Sequence, residues 1–577
     1  KRYRTGPGPD RNLEKSNEIF PGYFVDEAPA GYLATPLFGI DGLGMGGSIG
    51  NSRDTSNVIT TSLVSDYVNQ IDRNNEIKAG FTFDYDDLSM NFGSVNLALP
   101  EGNFRTKFKR NPYRMSAYVQ DKMEYEGFIA TAGVIADYTN PNGKWYNVDP
   151  YNVDFFTSNY TPGDDSKYLT HTAKARLTFS PRLAISHPIS ENAKLYFNYG
   201  HYRQIATSEG LYRVQRGTGD KLTRIGNPTI SLAKTVSYEL GYDHSLSDTY
   251  LLHMAAYYKD VSDQQDWTRY VGAGASGSVN YFQLTNNSYE DIRGLEASLT
   301  KRTGDWITGM INYEYRVGTS GFFGIKQYFL SPGEQRDYLN RNPQQNKPIP
   351  RPRFKSNIDL HTPFLYGPKL MDQYPLADWH MNFITYWTSG SHFTWNPKNI
   401  AGIESNVQYK NNLNIDLKVT KKFQFGAVDV KIFAEIFNLF NEKHFSGRSY
   451  SDQFDYNDYM YSLHLPNSVR APLGYNGIPG DDGPGDVRKN GVDYVPMEWA
   501  PSSDNSASWD HAAIYFDAAS NNYLEYDESS GAWAQVNGSK LKKVLDDKAY
   551  IDMPNHSYFT FLNPRQIFFG LSLSYNF

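Results

Sequence analysis

The 577-residue chain has no cysteine, which excludes both disulfides and thiolate metal sites. No stretch approaches the roughly 18 apolar residues that a transmembrane helix needs. The first residues, KRYRTGPGPD, lack the apolar core of a secretory signal. Either the chain stays in the cytoplasm or its original start has been removed. Neither sign of charge dominates: the net charge is −7, and this mild acidity gives no support for nucleic acid as a partner. No amphipathic helix of useful length stands out. Mean hydropathy is only −0.60. What the chain has in quantity is rings: aromatic residues make up 15% of it, with 45 Tyr and 34 Phe.

The dominant period is two. In residues 76–86, Ile77, Ala79, Phe81, Phe83 and Tyr85 alternate with Lys78, Gly80, Thr82, Asp84 and Asp86. In 411–421, Leu413, Ile415, Leu417 and Val419 alternate with Asn414, Asp416, Lys418 and Thr420. The chain ends the same way, with Phe569, Leu571, Leu573, Tyr575 and Phe577 on one face of IFFGLSLSYNF. Such alternation reads as strands with one apolar and one polar face.

This reading gives about fifteen strands, near 58–71, 76–90, 113–125, 127–139, 173–189, 194–206, 234–246, 249–261, 278–302, 305–316, 353–361, 380–389, 411–421, 426–438 and 566–577. Short connections such as DRNN (72–75) and RTGD (302–305) alternate with long ones such as 140–172 and 439–565. The link 362–379 breaks the rhythm, being of medium length where a short turn is expected. Short turns at one end and long loops at the other predict an all-β fold, a transmembrane antiparallel β-barrel of the bacterial outer membrane. A closed barrel pairs every backbone group in lipid. Apolar faces would meet the bilayer and polar faces a wet lumen, which accounts for the low hydropathy. The last strand would close the barrel, with Leu573, Tyr575 and Phe577 as its closing residues. Residues 1–57 read as the remnant of an extracellular loop, and 58–577 as barrel including the long loop 439–565. An odd strand count that starts inside a loop suggests the C-terminal part of a longer chain.

Several residues invite a chemical reading. Asp481, Asp482 and Asp486, among glycines in GIPGDDGPGDVRKNGVDY (477–494), suit a structural calcium ion or a plain solvated turn. The spacing does not match an EF-hand. Otherwise no cofactor is expected. Loop 439–565 is long enough to be functional. It holds Tyr456, Tyr459, Trp499, Trp509 and Trp533, and 514–536 reads as a small hairpin. Loop 137–156 adds Trp145, Tyr146 and Tyr151, and QQDWTRY adds Trp267. These rings either contact a ligand at the barrel mouth or form the loops' own cores. GLGMGG (42–47) has the spacing of a dinucleotide loop but no helix to follow, so it reads as a loop. No nucleophile, base and orienter assemble, which argues against an enzyme.

Four segments resemble TonB-dependent receptors of Bacteroidetes-like bacteria. They are FSPRLAISHPISENAKLYFNYGHYRQ (179–204), GNPTISLAKTVSYELGYDHSL (226–246), IRGLEASLTKR (292–302) and IFAEIFNLFNEKHF (432–445). In the second, Ala233 and Lys234 stand at the usual Pro-Glu positions. The terminal Phe577 is similar to the family's assembly signal. The resemblance implies a 22-stranded barrel, of which the N-terminal plug, the TonB box and the first strands are not found in this sequence. It implies energised uptake of a large nutrient, a glycan, peptide or metal chelate. The partners it implies are TonB–ExbB–ExbD, acting through plug and box, the lipid bilayer, and a SusD-like surface lipoprotein as a lid. The rival readings are a structural or adhesive barrel and a soluble glycan-binding β protein.

Overall fold

The computed structural model describes residues 50–96, 103–274, 277–322, 326–342, 345–370, 373–445, 453–475, 477–486, 492, 495–501, 506–547 and 564–575, with a few short strands before residue 50 and at Phe561–Leu562. Phe577 and much of GLGMGG lie outside the described residues. The chain divides into two compact units, one of residues 1–37, 45–300 and 314–350 and one of residues 38–44, 301–313 and 351–577.

In the first unit, period-two segments become an antiparallel meander. It runs through Asn57–Gln70, Asn75–Asn96, Tyr113–Tyr125, Phe128–Asn140, Arg176–Ser190, Ala193–Gln204, Ala233–Leu246 and Tyr250–Gly274, each strand paired with the next. In the second unit Arg353–His361, Trp379–Thr388, Asn412–Phe425, Val428–Phe437 and Gln566–Tyr575 follow the same rule. Gly277–Lys301 and Ile307–Phe322 complete the fifteen strands read from periodicity.

The two faces differ as the alternation requires. Leu240 opposes Ala256, and Tyr242 opposes Met254, on an apolar face where Leu240 is 55% exposed. On the other face Asp243 takes the His253 ring nitrogen at 2.6 Å and Lys194 at 3.3 Å, and Tyr257 donates to Glu314 at 2.8 Å. Wide exposure of apolar side chains on an ordered sheet is what a lipid-facing surface looks like to water. Rings from the polar face lie across glycines of the neighbouring strand. A β-carbon at Gly241 would stand 2.0 Å from the Tyr196 ring, and one at Gly570 would stand 2.1 Å from Phe433.

The structure departs from the sequence reading in two ways. Several strands run further: Tyr250–Gly274 and Gly277–Lys301 use up most of the expected loop 262–277, and Phe104–Arg110 pairs back along 88–94 within the expected loop 91–112. Helices of ten residues also occur, at Pro332–Arg341, Gln453–Ser462 and Gly538–Asp547. The first has a readable start: Ser331 caps it by accepting from the Glu334 amide at 3.5 Å, with Pro332 in its first turn.

The long loop 439–565 has its own architecture. Strand Met497–Trp499 pairs parallel to Ile514–Asp517, which pairs antiparallel with Asn522–Asp527, and that with Ala532–Gln535. The hairpin expected at 514–536 is the centre of this small sheet. Val536 and Val544, the latter on the following helix, join Ile514 and Phe516 in its core.

Candidate functional site

In the first unit the loops beyond the strands are held by rings. Asn152 caps a single helical turn, Val153–Phe156, by accepting from the Phe155 amide at 2.9 Å. That turn drives Phe155 and Phe156 into a core with Trp145, which is only 4% exposed. Phe156 stacks on Tyr281 at 4.0 Å, Tyr281 on Tyr270 at 5.2 Å, and Tyr270 on Tyr328 at 5.3 Å. Tyr151 meets this column edge-on at Tyr270. Tyr146 packs 5.0 Å from Phe155 and donates to Asp165 at 3.2 Å. Burial, with Asp165 beside it, pushes the Tyr146 hydroxyl well above the ordinary tyrosine range. Burial pushes Tyr160 up to about 12. Between them sits Arg216, its guanidinium 3.4 Å from the Tyr160 ring centre and donating to the Phe155 and Asp220 carbonyls at 3.1 and 2.9 Å. Burial lowers the Arg216 pKa, yet cation–π contact and carbonyl acceptors suit the charged form. Trp267 packs against a separate small cluster of Ala206, Ile230 and Leu284, with Arg224 at 5.6 Å.

The GNP segment is a knot beside this core. Gly226 and Asn227 donate to the carbonyls of Arg213 and Gly210 at 2.7 and 2.9 Å. The Asn227 side chain accepts from both the amide and the hydroxyl of Thr229. Asn286 binds both the amide and the carbonyl of Ser231. Next to the knot lies a cleft whose lining includes Arg114, Lys174, Arg176, Tyr113, Tyr212 and Pro228, with Asp86 as its carboxylate. Arg114 is paired with Asp137 at 2.6 Å, and Arg176 donates to the Thr229 carbonyl at 2.5 Å. The sequence reading missed this cleft; its one local signal was the pair of cations in AKAR (173–176).

In the second unit Tyr459 is fully buried, donating to the Asp486 carbonyl at 3.4 Å and accepting from Gly485. Tyr456 meets Trp395 edge-on at 6.0 Å. Of the three aspartates, Asp482 is buried and accepts from both the amide and the ring nitrogen of His464, at 3.0 and 3.1 Å. Asp486 accepts from the Gly483 amide at 3.0 Å, and Asp481 is exposed. Trp509 and Trp533 pack 5.1 Å apart on the small sheet, with His511 stacked on Tyr526 beside them. Trp499 stands edge-on to Phe516 and is 36% exposed.

The rings found by sequence therefore fall into separate loop cores. Trp145 and Tyr459 are sealed within theirs, while Trp499 is partly exposed, with the Arg470 guanidinium 5.3 Å from its ring centre. Tyr575 and Leu573 lie on the last described strand, opposite Val428 and Val430, with exposed side chains. Among the described residues the one group of three His, Asp or Glu side chains with ligand atoms all within 4.8 Å is Asp359, His361 and His380, not the aspartates at 481–486.

A family model described as "TonB dependent receptor-like, beta-barrel" matches residues 19–439. No curated protein matches the chain. Similar solved structures include the outer membrane transporter YddB from Escherichia coli, with 11% identity over 70% of this chain and 52% of that one, at a TM-score of 0.44. The FrpB iron transporter from Neisseria meningitidis, F3-3 variant, shares 10% identity over 68% and 52%, at 0.42. A double mutant of the Serratia marcescens hemophore receptor HasR, in complex with its hemophore HasA and heme, shares 12% over 68% and 57%, at 0.41. The chain spans about half the length of these proteins.

Proposed function

As this chain belongs to the TonB-dependent receptor family through its β-barrel, whose members are transporters of the outer membrane and not enzymes, we propose that it imports a solute too large for an open pore. The observation that carries this reading is the family match over residues 19–439, laid on strands that keep a continuous ionic and hydroxylic face opposite an apolar one. TonB with ExbB and ExbD would supply the energy through the family's plug and box, and a SusD-like lipoprotein would serve as a lid over the loops. The loops are built for recognition rather than motion. Ring stacks and buried polar knots fix their backbone, and fixed loops lose less entropy on binding. Lys174 and Arg176 beside one cleft, whose Arg114 is already paired with Asp137, favour a solute with anionic groups, whether a glycan, a peptide or a metal chelate.

The test is growth. A strain lacking this chain is compared with its parent on glycans, peptides and metal chelates as sole sources. The proposal expects loss of growth on one class, restored by the chain and lost again when TonB is removed. Unchanged growth on every class, with loss of surface attachment instead, would favour the adhesive barrel.

A further inference from the structure

The strands Arg353–His361 and Trp379–Thr388 meet at the edge where short connections are the rule, and their register sets His361 directly opposite His380. Asp359, two residues earlier, falls on the same polar face. The contacts among these side chains are unusual. His361 Nε2 lies 2.8 Å from the Gly304 carbonyl, which can only accept, so this nitrogen carries the ring proton. Its Nδ1 is then a lone pair; it is buried, in no hydrogen bond, and 3.3 Å from Asp359 Oδ2. His380 Nδ1 approaches the same oxygen at 2.8 Å, and His380 Nε2 stands 3.5 Å from Asp378 Oδ1. The two rings lie nearly parallel with centroids 5.3 Å apart.

Two imidazole nitrogens and a carboxylate oxygen thus converge on one space, and each ring turns its other nitrogen to an oxygen acceptor. That second contact is what orients an imidazole for metal binding and makes its free nitrogen more basic. A single cation in that space would draw on all three of these atoms. We propose that Asp359, His361 and His380 bind one divalent transition-metal ion of the zinc class, with Asp378 in support. Imidazole and carboxylate together suit zinc, copper or nickel rather than calcium. Ligand atoms at about 2.0–2.1 Å from a tetrahedral zinc stand roughly 3.3 Å apart. The His361–Asp359 separation is already 3.3 Å, and the His380–Asp359 separation of 2.8 Å has to open by a few tenths.

The surroundings are fixed enough to hold such a site. Lys421 sends its ammonium to the carbonyls of Tyr374 and Ala377, which anchors the connection that carries Asp378. The Trp379 amide donates to Thr362 Oγ1 at 3.0 Å, and the Trp379 indole donates to the Pro375 carbonyl at 2.8 Å. The medium-length link 362–379, anomalous in the sequence, is in this reading the frame of a metal clip between two strands.

The test uses the full chain extracted from outer membranes in detergent, stripped with chelator and titrated with zinc or cobalt alone. One equivalent should bind at micromolar or tighter affinity, with visible cobalt bands and nitrogen and oxygen scatterers at about 2.0–2.1 Å by X-ray absorption. His361→Ala and His380→Ala should each weaken binding at least 100-fold. Asp378→Asn, on the connection and less able to disturb folding, should weaken it about 10–100-fold. Binding absent at 100 µM metal, or unchanged in the doubly substituted H361A/H380A protein or in D378N, would overturn the proposal.

Discussion

Tyr196 lies flat across Gly241, and Phe433 across Gly570, at directly opposed positions in the ladder. Glycine there is a matter of space: a side chain would strike the ring at once. The same crowding explains the glycine of IRGLEASLTKR, since Gly294 makes room for Tyr257. Replacing Gly241 by Val should cost roughly 1–3 kcal/mol through overpacking. The check is the denaturation midpoint in detergent. Tyr196→Ala should restore much of the loss, and a G241V protein as stable as its parent would refute the packing account. Asp482 offers a second case. It is 4% exposed and holds both the backbone and the ring of His464, so Asp482→Ala leaves buried donors without their acceptor. A local loss of about 1–3 kcal/mol is expected. It should appear as faster amide exchange and proteolysis in residues 463–486, with the strands unaffected.

At the scale of elements, the strands were legible and the loops were not. A strand with one face in lipid must alternate, so Leu413 to Val419 announced themselves. Val428 and its partner Tyr575 could be placed on one face from sequence alone. Helix Gly538–Asp547 is hard to read from sequence, although Leu541, Val544 and Leu545 have helical spacing, because ten residues inside a polar loop give a weak signal. The trio of Asp359, His361 and His380 could not be read at all: eighteen residues lie between His361 and His380, and only strand register brings them together. The loop rings were seen, but whether Trp145 packs or binds depends on contacts such as Phe155, which no local pattern reveals. The small sheet carries its own pH test. Asp517 accepts from the Ser520 hydroxyl and the Ala519 amide, and Asp527 from the hydroxyls of Ser530 and Ser529 and the Ser529 amide, each closing one hairpin turn. These bonds to the charged form hold both carboxyls below the ordinary value of 3.8. A depressed folded pKa gives stability that is present above the unfolded value and lost as pH falls through the folded one. Amide protection of residues 514–535, corrected for intrinsic rate, should hold at about pH 5 and fall below the ordinary value, and in D517N/D527N it should lose this dependence.

For the whole molecule the central claim is that one face of each strand meets lipid and the other meets water in the outer membrane. Lys418 and Glu435 form an ion pair on the wet face, while Phe569 and Leu571 stand 82% and 61% exposed on the other. In water that surface would aggregate; in a bilayer it is the band that holds the protein in place. The proposed import and the proposed partners depend on this arrangement. The natural absence of cysteine allows a clean measurement. Single cysteines at positions 435, 418, 569 and 571 are labelled in intact outer membranes with a charged maleimide and then with a lipid-soluble one. The account predicts that E435C and K418C react with the charged reagent, and that F569C and L571C react only with the lipid-soluble one. Equal reaction of all four with the charged reagent would mean that both faces are wet, and would contradict the membrane barrel on which the proposed uptake rests.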